Sequence, residues 1–259
     1  MSLLTSLVSH WRLNESNGNR ADAHGSNTLT NTNVGAGTGL LGTCADFENA
    51  SAGQKLAIAS NSTLQMGDID FTFAVWVNAE SFDSVGTEAS WIMSKRDGSA
   101  PALEYQLLWR GTGGGGPAAP RFIFTVWNEA QSSTPVNADN LGTPSTGTWY
   151  FIVAWHDSVN NVVGIQINNG TANTAAHTTG VAASDSTFQL SGRSGSTNKD
   201  DHWDGLMESA SLWKRVLTTA EKTTLYNAGA GLAYPWGAVW PTERSYPRGV
   251  NRGVLRGVA

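Results

Sequence analysis

The sequence predicts an all-β fold, a two-sheet antiparallel sandwich of the jelly-roll kind, and three observations carry the prediction. Apolar and polar residues alternate over many short runs, the period of a strand with one buried face. Turn-forming residues separate those runs: the 259 residues include 29 Gly and 8 Pro, with Ser, Thr and Asn throughout. Charge is low at 14% while Trp reaches 11, a mix that favours strands and tight turns over helices.

The elements follow in order. Leu7, Ser9, Trp11 and Leu13 alternate with Val8, His10 and Arg12, so a first strand begins near residue 7. A polar loop at 14–26 holds Glu15, Asp22 and Gly25, and two short strands follow at 40–47 and 55–59. Ile69, Phe71, Phe73, Val75 and Val77 then share one face against Asp70, Thr72, Ala74 and Trp76, which predicts a half-buried antiparallel strand. Leu103, Tyr105, Leu107 and Trp109 oppose Glu104, Gln106, Leu108 and Arg110. Past a glycine-rich turn, Phe122, Phe124 and Val126 oppose Arg121, Ile123, Thr125 and Trp127, so the two runs form a hairpin. The glycine run is not a phosphate loop, because no Gly-Lys-Ser/Thr follows it.

Residues 149–156 are apolar on both parities and read as a central strand. Val163, Ile165 and Ile167 share a side, Asn168-Asn169-Gly170 turns the chain, and a Thr- and Ala-rich strand follows near 171–177. Runs at 188–190 and 206–213 bring the total to about a dozen strands, the spacing of a sandwich or jelly roll. Thr218 with Glu221 forms a capping box that opens one short helix, Leu225 and Tyr226 give it an apolar side, and Gly229 sits where it stops.

Residues 235–259 differ from this body, expected at 1–234. They carry Arg244, Arg248, Arg252 and Arg256 against Glu243 alone, and Arg-Gly-Val recurs at 248, 252 and 256. A Gly in every repeat opposes a helix, so an extended basic arm is expected. The net charge of −5 gives no general reason to expect nucleic acid, and no run approaches a membrane span. The single cysteine, Cys44, excludes an intrachain disulfide and reads as a buried inert thiol. No charged-then-apolar leader precedes the first strand, so no secretion signal is expected.

Four stretches together, LVSHWRLNESNGNRADAHGSNTLT, GDIDFTFAVWV, GTWYFIVAWHD and WDGLMESASLWKRVLTTAEKTTLYNAG, resemble the LamG-like, concanavalin A-like jelly-roll domains over residues 5–232. The resemblance implies fold more strongly than function, since such domains include glycan-binding and adhesion modules, pentraxin-like proteins, enzyme accessory domains and phage structural proteins. Where the family often has Asp-Gly-x-Ile-Asp-Glu, this chain has Asp204-Gly205-Leu206-Met207-Glu208-Ser209, so the third acid is missing.

Three site readings follow. A structural calcium ion would draw on Asp22, Asp204 and Glu208, because the first and last strands of a jelly roll are neighbours and calcium takes six to eight oxygens. The plainer alternative is that Asp204 shapes its turn, Asp22 caps loop amides and Glu208 pairs with an Arg. A glycan would meet Trp76, Gln106, Arg110, Trp127 and His156, the residues opposite the phenylalanine faces, if their strands line one concave face. Against this, a face with Trp is often covered by a loop. Catalysis is not expected: the glycosidase pattern of two carboxylates on one strand is absent, as are His-Glu-x-x-His and Gly-x-Ser-x-Gly.

The arm suits contacts with acidic groups, on copies of the protein or on other subunits of a large assembly, with Arg244, Arg248, Arg252 and Arg256 as the contacting residues. The expectation is a non-enzymatic module displayed on a virion or extracellular surface, a phage particle first, that binds a glycan. A purely structural decoration protein and an accessory module of a glycoside hydrolase are the alternatives.

Overall fold

Residues 2–49, 53–82, 89–97, 103–112, 117–196 and 201–236 are described in the computed structural model, and they form fifteen strands and one α-helix. The strands are β1 (Leu7–Trp11), β2 (Thr30–Thr32), β3 (Gly35–Thr38), β4 (Thr43–Phe47), β5 (Lys55–Ile58), β6 (Phe71–Ala79), β7 (Ala89–Arg96) and β8 (Leu103–Arg110). After them come β9 (Arg121–Trp127), β10 (Ser133–Asn137), β11 (Trp149–Asp157), β12 (Val162–Ile167), β13 (Asn173–Ala176), β14 (Phe188–Leu190) and β15 (Gly205–Trp213). The helix, α1, is Thr219–Tyr226. Among the described residues no helix is long and apolar enough to cross a membrane.

Two antiparallel sheets face each other. One has eight strands in the order β13-β12-β11-β6-β15-β4-β3, with β1 added to β15; the other has seven, β10-β9-β8-β7-β14-β5-β2. The expected jelly-roll sandwich is therefore formed. Its core lies between the sheets, where Phe71, Phe73, Val75 and Val77 of β6 meet Tyr105, Leu107, Phe122 and Phe124 of β8 and β9. The alternation seen in the sequence sets this, since successive side chains of a strand point to opposite faces.

The closing strand β15 pairs with β6 along one edge, and on the other with β4 at residues 205–207 and β1 at residues 210–213. A bulge between Glu208 and Ser211, with Ser209 at φ 55°, shifts its parity. Met207, Ala210 and Leu212 all reach the core as a result, and Glu208 does not share their face. Without that one inserted residue, the spacing of Glu208, Ala210 and Leu212 would put all three on one face.

The outer face of β6 is not open. Ala74 and Trp76 lie under α1 and the segment after it, packed with Phe151, Trp213, Leu225 and Trp236. The strand is buried on both faces rather than one. The helix begins as expected: Thr218 accepts from the Glu221 amide and Glu221 accepts from the Thr218 amide. It ends at Asn227, whose left-handed φ of 47° supplies the cap, two residues before Gly229. Trp236 is buried and stacks on Trp213 at 5.5 Å, so the packed chain runs two residues past the boundary expected at 234. The basic arm with Arg244, Arg248, Arg252 and Arg256 lies outside the described residues, as do Gly113 to Gly116 of the glycine-rich turn.

Candidate functional site

The five residues expected to line one glycan-binding face are divided between the two sheets. Trp76 and His156 belong to the eight-stranded sheet, Gln106, Arg110 and Trp127 to the seven-stranded one. Trp76 is sandwiched 5.1 Å from Phe151 and 5.8 Å from Tyr226 of α1. His156 packs against Phe71, and its Nδ1 lies 2.9 Å from the Ile69 carbonyl. Parity within a strand assigns a face but not a sheet, and the expectation of one shared face fails for that reason.

Gln106, Arg110 and Trp127 do occupy one surface, the outer face of the seven-stranded sheet. Three more residues join them there: Trp91 and Arg96 of β7, and Arg193 in the loop after β14. One bulge in β7 and one in its partner β8 shape this part of the sheet. The first, between Trp91 and Met93, turns both Ile92 and Met93 to the core and leaves Trp91 outside opposite Leu108. The second lies on β8, where Glu104 is the extra residue between the partners of Lys95 and Arg96; within β7 Lys95 turns inward, to Glu104, and Arg96 outward by ordinary alternation.

Gln106 Oε1 accepts two hydrogen bonds, from Trp91 Nε1 at 2.7 Å and from Arg96 Nη1 at 2.8 Å. The Arg96 guanidinium lies 5.2 Å from the ring of Trp127 and 6.0 Å from that of Trp91. Arg193 covers Trp91 at 5.4 Å, and its Nε donates to Asp201 Oδ2 at 3.0 Å. Asp201 also accepts from Ser196 Oγ. The result is a layered stack of guanidinium and indole planes, each contact worth about 0.5–2 kcal/mol. Burial brings the Arg96 pKa down to about 10, and the neighbouring Arg193 charge pushes the same way. The guanidinium stays charged at neutral pH.

This surface differs from an open aromatic platform. Trp91 and Trp127 are only 8% and 7% exposed, and guanidinium groups, not solvent, face their rings. What the face offers to a ligand is fixed planar donors with one amide oxygen between them. Sequence reading missed Trp91 because the bulge at Ile92 breaks the alternation of ASWIMSKR, and missed Arg96 because the inward residue beside it, Lys95, is charged rather than apolar. Arg193 had no periodic signal at all.

The three acids expected at a calcium ion are held in separate networks. Asp22 Oδ1 accepts from the amides of His10, His24 and Gly25 at 3.0, 3.0 and 2.8 Å, and Oδ2 from Asn27 at 3.0 Å. Burial raises its pKa, yet the four amides outweigh that and hold it below the usual carboxylate range. A Cβ on Gly25 would lie 2.7 Å from Asp22 Oδ2, so the loop closes on this carboxylate only with glycine there. Asp204 accepts from the Asn49 amide at 3.0 Å and from Ser81 Oγ. Glu208 accepts from the amides of Leu40 and Leu41 at 2.8 and 2.9 Å rather than from an Arg. The three carboxylates are thus engaged by different loops, and no two of them share a hydrogen-bond partner. Among the described residues the acids that do converge are Asp46, Glu48 and Glu80, within 4.8 Å of one another, and two of those three are exposed.

The fold and this surface define a two-sheet jelly-roll domain with a polar–aromatic outer face. The chain belongs to the concanavalin A-like lectin/glucanases superfamily, whose laminin G-type model matches residues 50–221. No curated protein matches the sequence. Among solved structures it resembles the binding domain of Paraclostridial Mosquitocidal Protein 1, at TM-score 0.70 and 12% identity, over 88% of this chain and 53% of that one. It also resembles the binding domain of Botulinum Neurotoxin DC in complex with SialylT, at TM-score 0.64 and 15% identity, over 88% and 52%. Domain 4 of AbnA, a GH43 extracellular arabinanase from Geobacillus stearothermophilus in complex with arabinotriose, matches at TM-score 0.59 and 15% identity, over 88% and 98%. The chain thus spans about half the length of the toxin binding domains and nearly all of the arabinanase domain. At these identities the likeness is one of fold.

Proposed function

We propose that the protein is a non-catalytic glycan-binding module that holds its ligand on the outer face of the seven-stranded sheet. The observation that carries the reading is the fixing of Arg96 by Gln106 Oε1 between the rings of Trp91 and Trp127. A guanidinium held in plane presents paired N–H donors with little entropy left to lose, which suits the adjacent hydroxyls of a sugar. The whole-length fold likeness to an arabinanase domain crystallised with arabinotriose supports the ligand class. The reading as non-catalytic is supported by the acids of the closing strand, which are tied to backbone amides instead of facing each other across a cleft.

A glycan array probed with the whole chain tests the proposal. Binding to at least one polysaccharide is expected, lost in Arg96→Ala and Trp127→Ala variants that remain folded. No binding by the wild type, or full binding by both variants, overturns it. Cleavage of a bound polysaccharide would remove the non-catalytic part alone.

The wider proposal places the module on a larger particle, a phage virion or another extracellular surface. Arg244, Arg248, Arg252 and Arg256 would then contact copies of the protein or other subunits. The regular spacing of these residues in the sequence supports it. Light scattering with and without residues 237–259 tests the arm: an unchanged mass removes it as an anchor.

A further inference from the structure

We infer that a second site, for one neutral monosaccharide ring, lies on the opposite side of the sandwich where β1 meets β15. It rests on the glycan reading only for its class of ligand. A cavity of about 140 Å³ opens there, lined by His10, Arg12, Asn14, Glu208, Ser209 and Tyr234 among others. A cavity of about 150 Å³ accommodates a benzene-sized ring, so the space suits a single sugar unit rather than a run of them.

The observation that points to a ligand is His10. Its residue exposure is 0%, its Nδ1 lies 2.7 Å from Ser211 Oγ, and its Nε2 has no hydrogen-bond partner in the structure. Leaving a buried polar atom unsatisfied costs about 1–3 kcal/mol. The ring is also locked in place, stacked on Tyr234 at 4.5 Å and edge-on to Trp236 at 4.8 Å. Imidazole is thus fixed in the wall of the cavity, with one nitrogen committed to the fold and the other buried and unpartnered. Burial keeps it neutral.

The remaining lining sets the chemistry. Glu208 is 2% exposed and fixed by the Leu40 and Leu41 amides, one at each oxygen, which leaves further acceptor capacity on the carboxylate. Arg12 and Asn14 are exposed at the mouth, with the Arg12 guanidinium 5.6 Å from the Tyr234 ring. One cation and one anion balance, so the cavity favours a neutral guest. Its lining combines donors, acceptors and the Tyr234 ring, the complement of a sugar ring bearing several hydroxyls. A metal ion is disfavoured, since a single carboxylate, already hydrogen-bonded, faces a single imidazole.

The ligand expected is therefore the terminal unit of a neutral glycan. Saturation-transfer NMR on the whole chain with free L-arabinose, D-galactose, D-glucose and D-mannose, in calcium and in chelator, tests it. At least one sugar is expected to bind in both conditions, and about tenfold or more weaker in Arg12→Ala and Asn14→Ala, exposed positions whose change leaves folding intact. His10→Phe, which retains the stacking, should lose binding likewise. Arg96→Ala should leave monosaccharide binding unchanged. No binding by the wild type overturns the site, as does equal binding by the Arg12 and Asn14 variants, dependence on calcium, or loss in the Arg96 variant. A chain that binds polysaccharides but no free sugar loses this site and keeps the sheet surface. The reverse result removes the sheet surface alone.

Discussion

Lys95 Nζ lies 3.0 Å from Glu104 Oε2 with both side chains fully buried, an ion pair inside the sandwich and not on it. The extra residue of β8 at this point is Glu104 itself, which meets the inward-pointing Lys95 of β7. Glu104 is also given the amides of Met66 at 2.6 Å and Ser184 at 3.0 Å, and Lys95 donates to the Ser184 carbonyl. Burial lowers the Lys95 pKa, and the Glu104 charge opposes that.

Removing one partner should cost far more than removing both. Lys95→Met strands a carboxylate in a dry site and is expected to lose about 3–5 kcal/mol of stability, measured by denaturant unfolding. Lys95→Met combined with Glu104→Gln should recover part of that loss. Additive losses would mean that the pair is not coupled.

On the proposed ligand face, Arg96→Lys keeps the charge and loses the plane. Lysine cannot stack flat on Trp127 or hold the same fork to Gln106, so affinity for any glycan bound there should drop by about tenfold. Retained affinity would show that charge alone suffices.

Three buried histidines make the fold sensitive to mild acid. Burial lowers the pKa of His10 from 6.5 to about 3 and pushes His156 and His202 in the same direction. The unfolded chain takes up protons from pH 6.5 downward while the native chain does not. Stability is therefore fully present above pH 6.5 and is lost as pH falls toward the folded values. For His10 the loss at pH 5 is about 2 kcal/mol. Burial raises the pKa of Glu208, Asp46 and Glu80, and these groups act the other way. Unfolding free energies that match at pH 8 and pH 5 would contradict the expectation.

Asp22→Asn tests what the first acid does. As an acceptor of four amides it should be worth about 1–3 kcal/mol, because an asparagine offers one acceptor oxygen in place of two. The loss of melting temperature should be the same with calcium and with chelator. A loss seen only in calcium would assign Asp22 to an ion instead.

Much of the fold was legible in the chain because alternation survives wherever a strand is regular. Phe71 to Val77 and Tyr105 to Trp109 show their buried faces directly. Legibility fails at bulges. One extra residue near Ser209 puts Glu208 and Ala210 on opposite faces, and one at Ile92 of β7 hides the outward face of Trp91. It fails again for the partner of a face, since nothing in the local pattern around Trp76 says that Tyr226, far along the chain, will lie on it. The Thr218–Glu221 box was readable because its partners are three residues apart.

The seam between β1 and β15 has a consequence for how the protein is made. Among the described residues β1 finds its only strand partner in β15, the last of their strands in chain order. A ribosome adding residues in order must leave Leu7 and Trp11 waiting until Ala210 and Trp213 emerge. Folding then ends on a contact of very long sequence separation, a step that is slow and exposes apolar surface meanwhile.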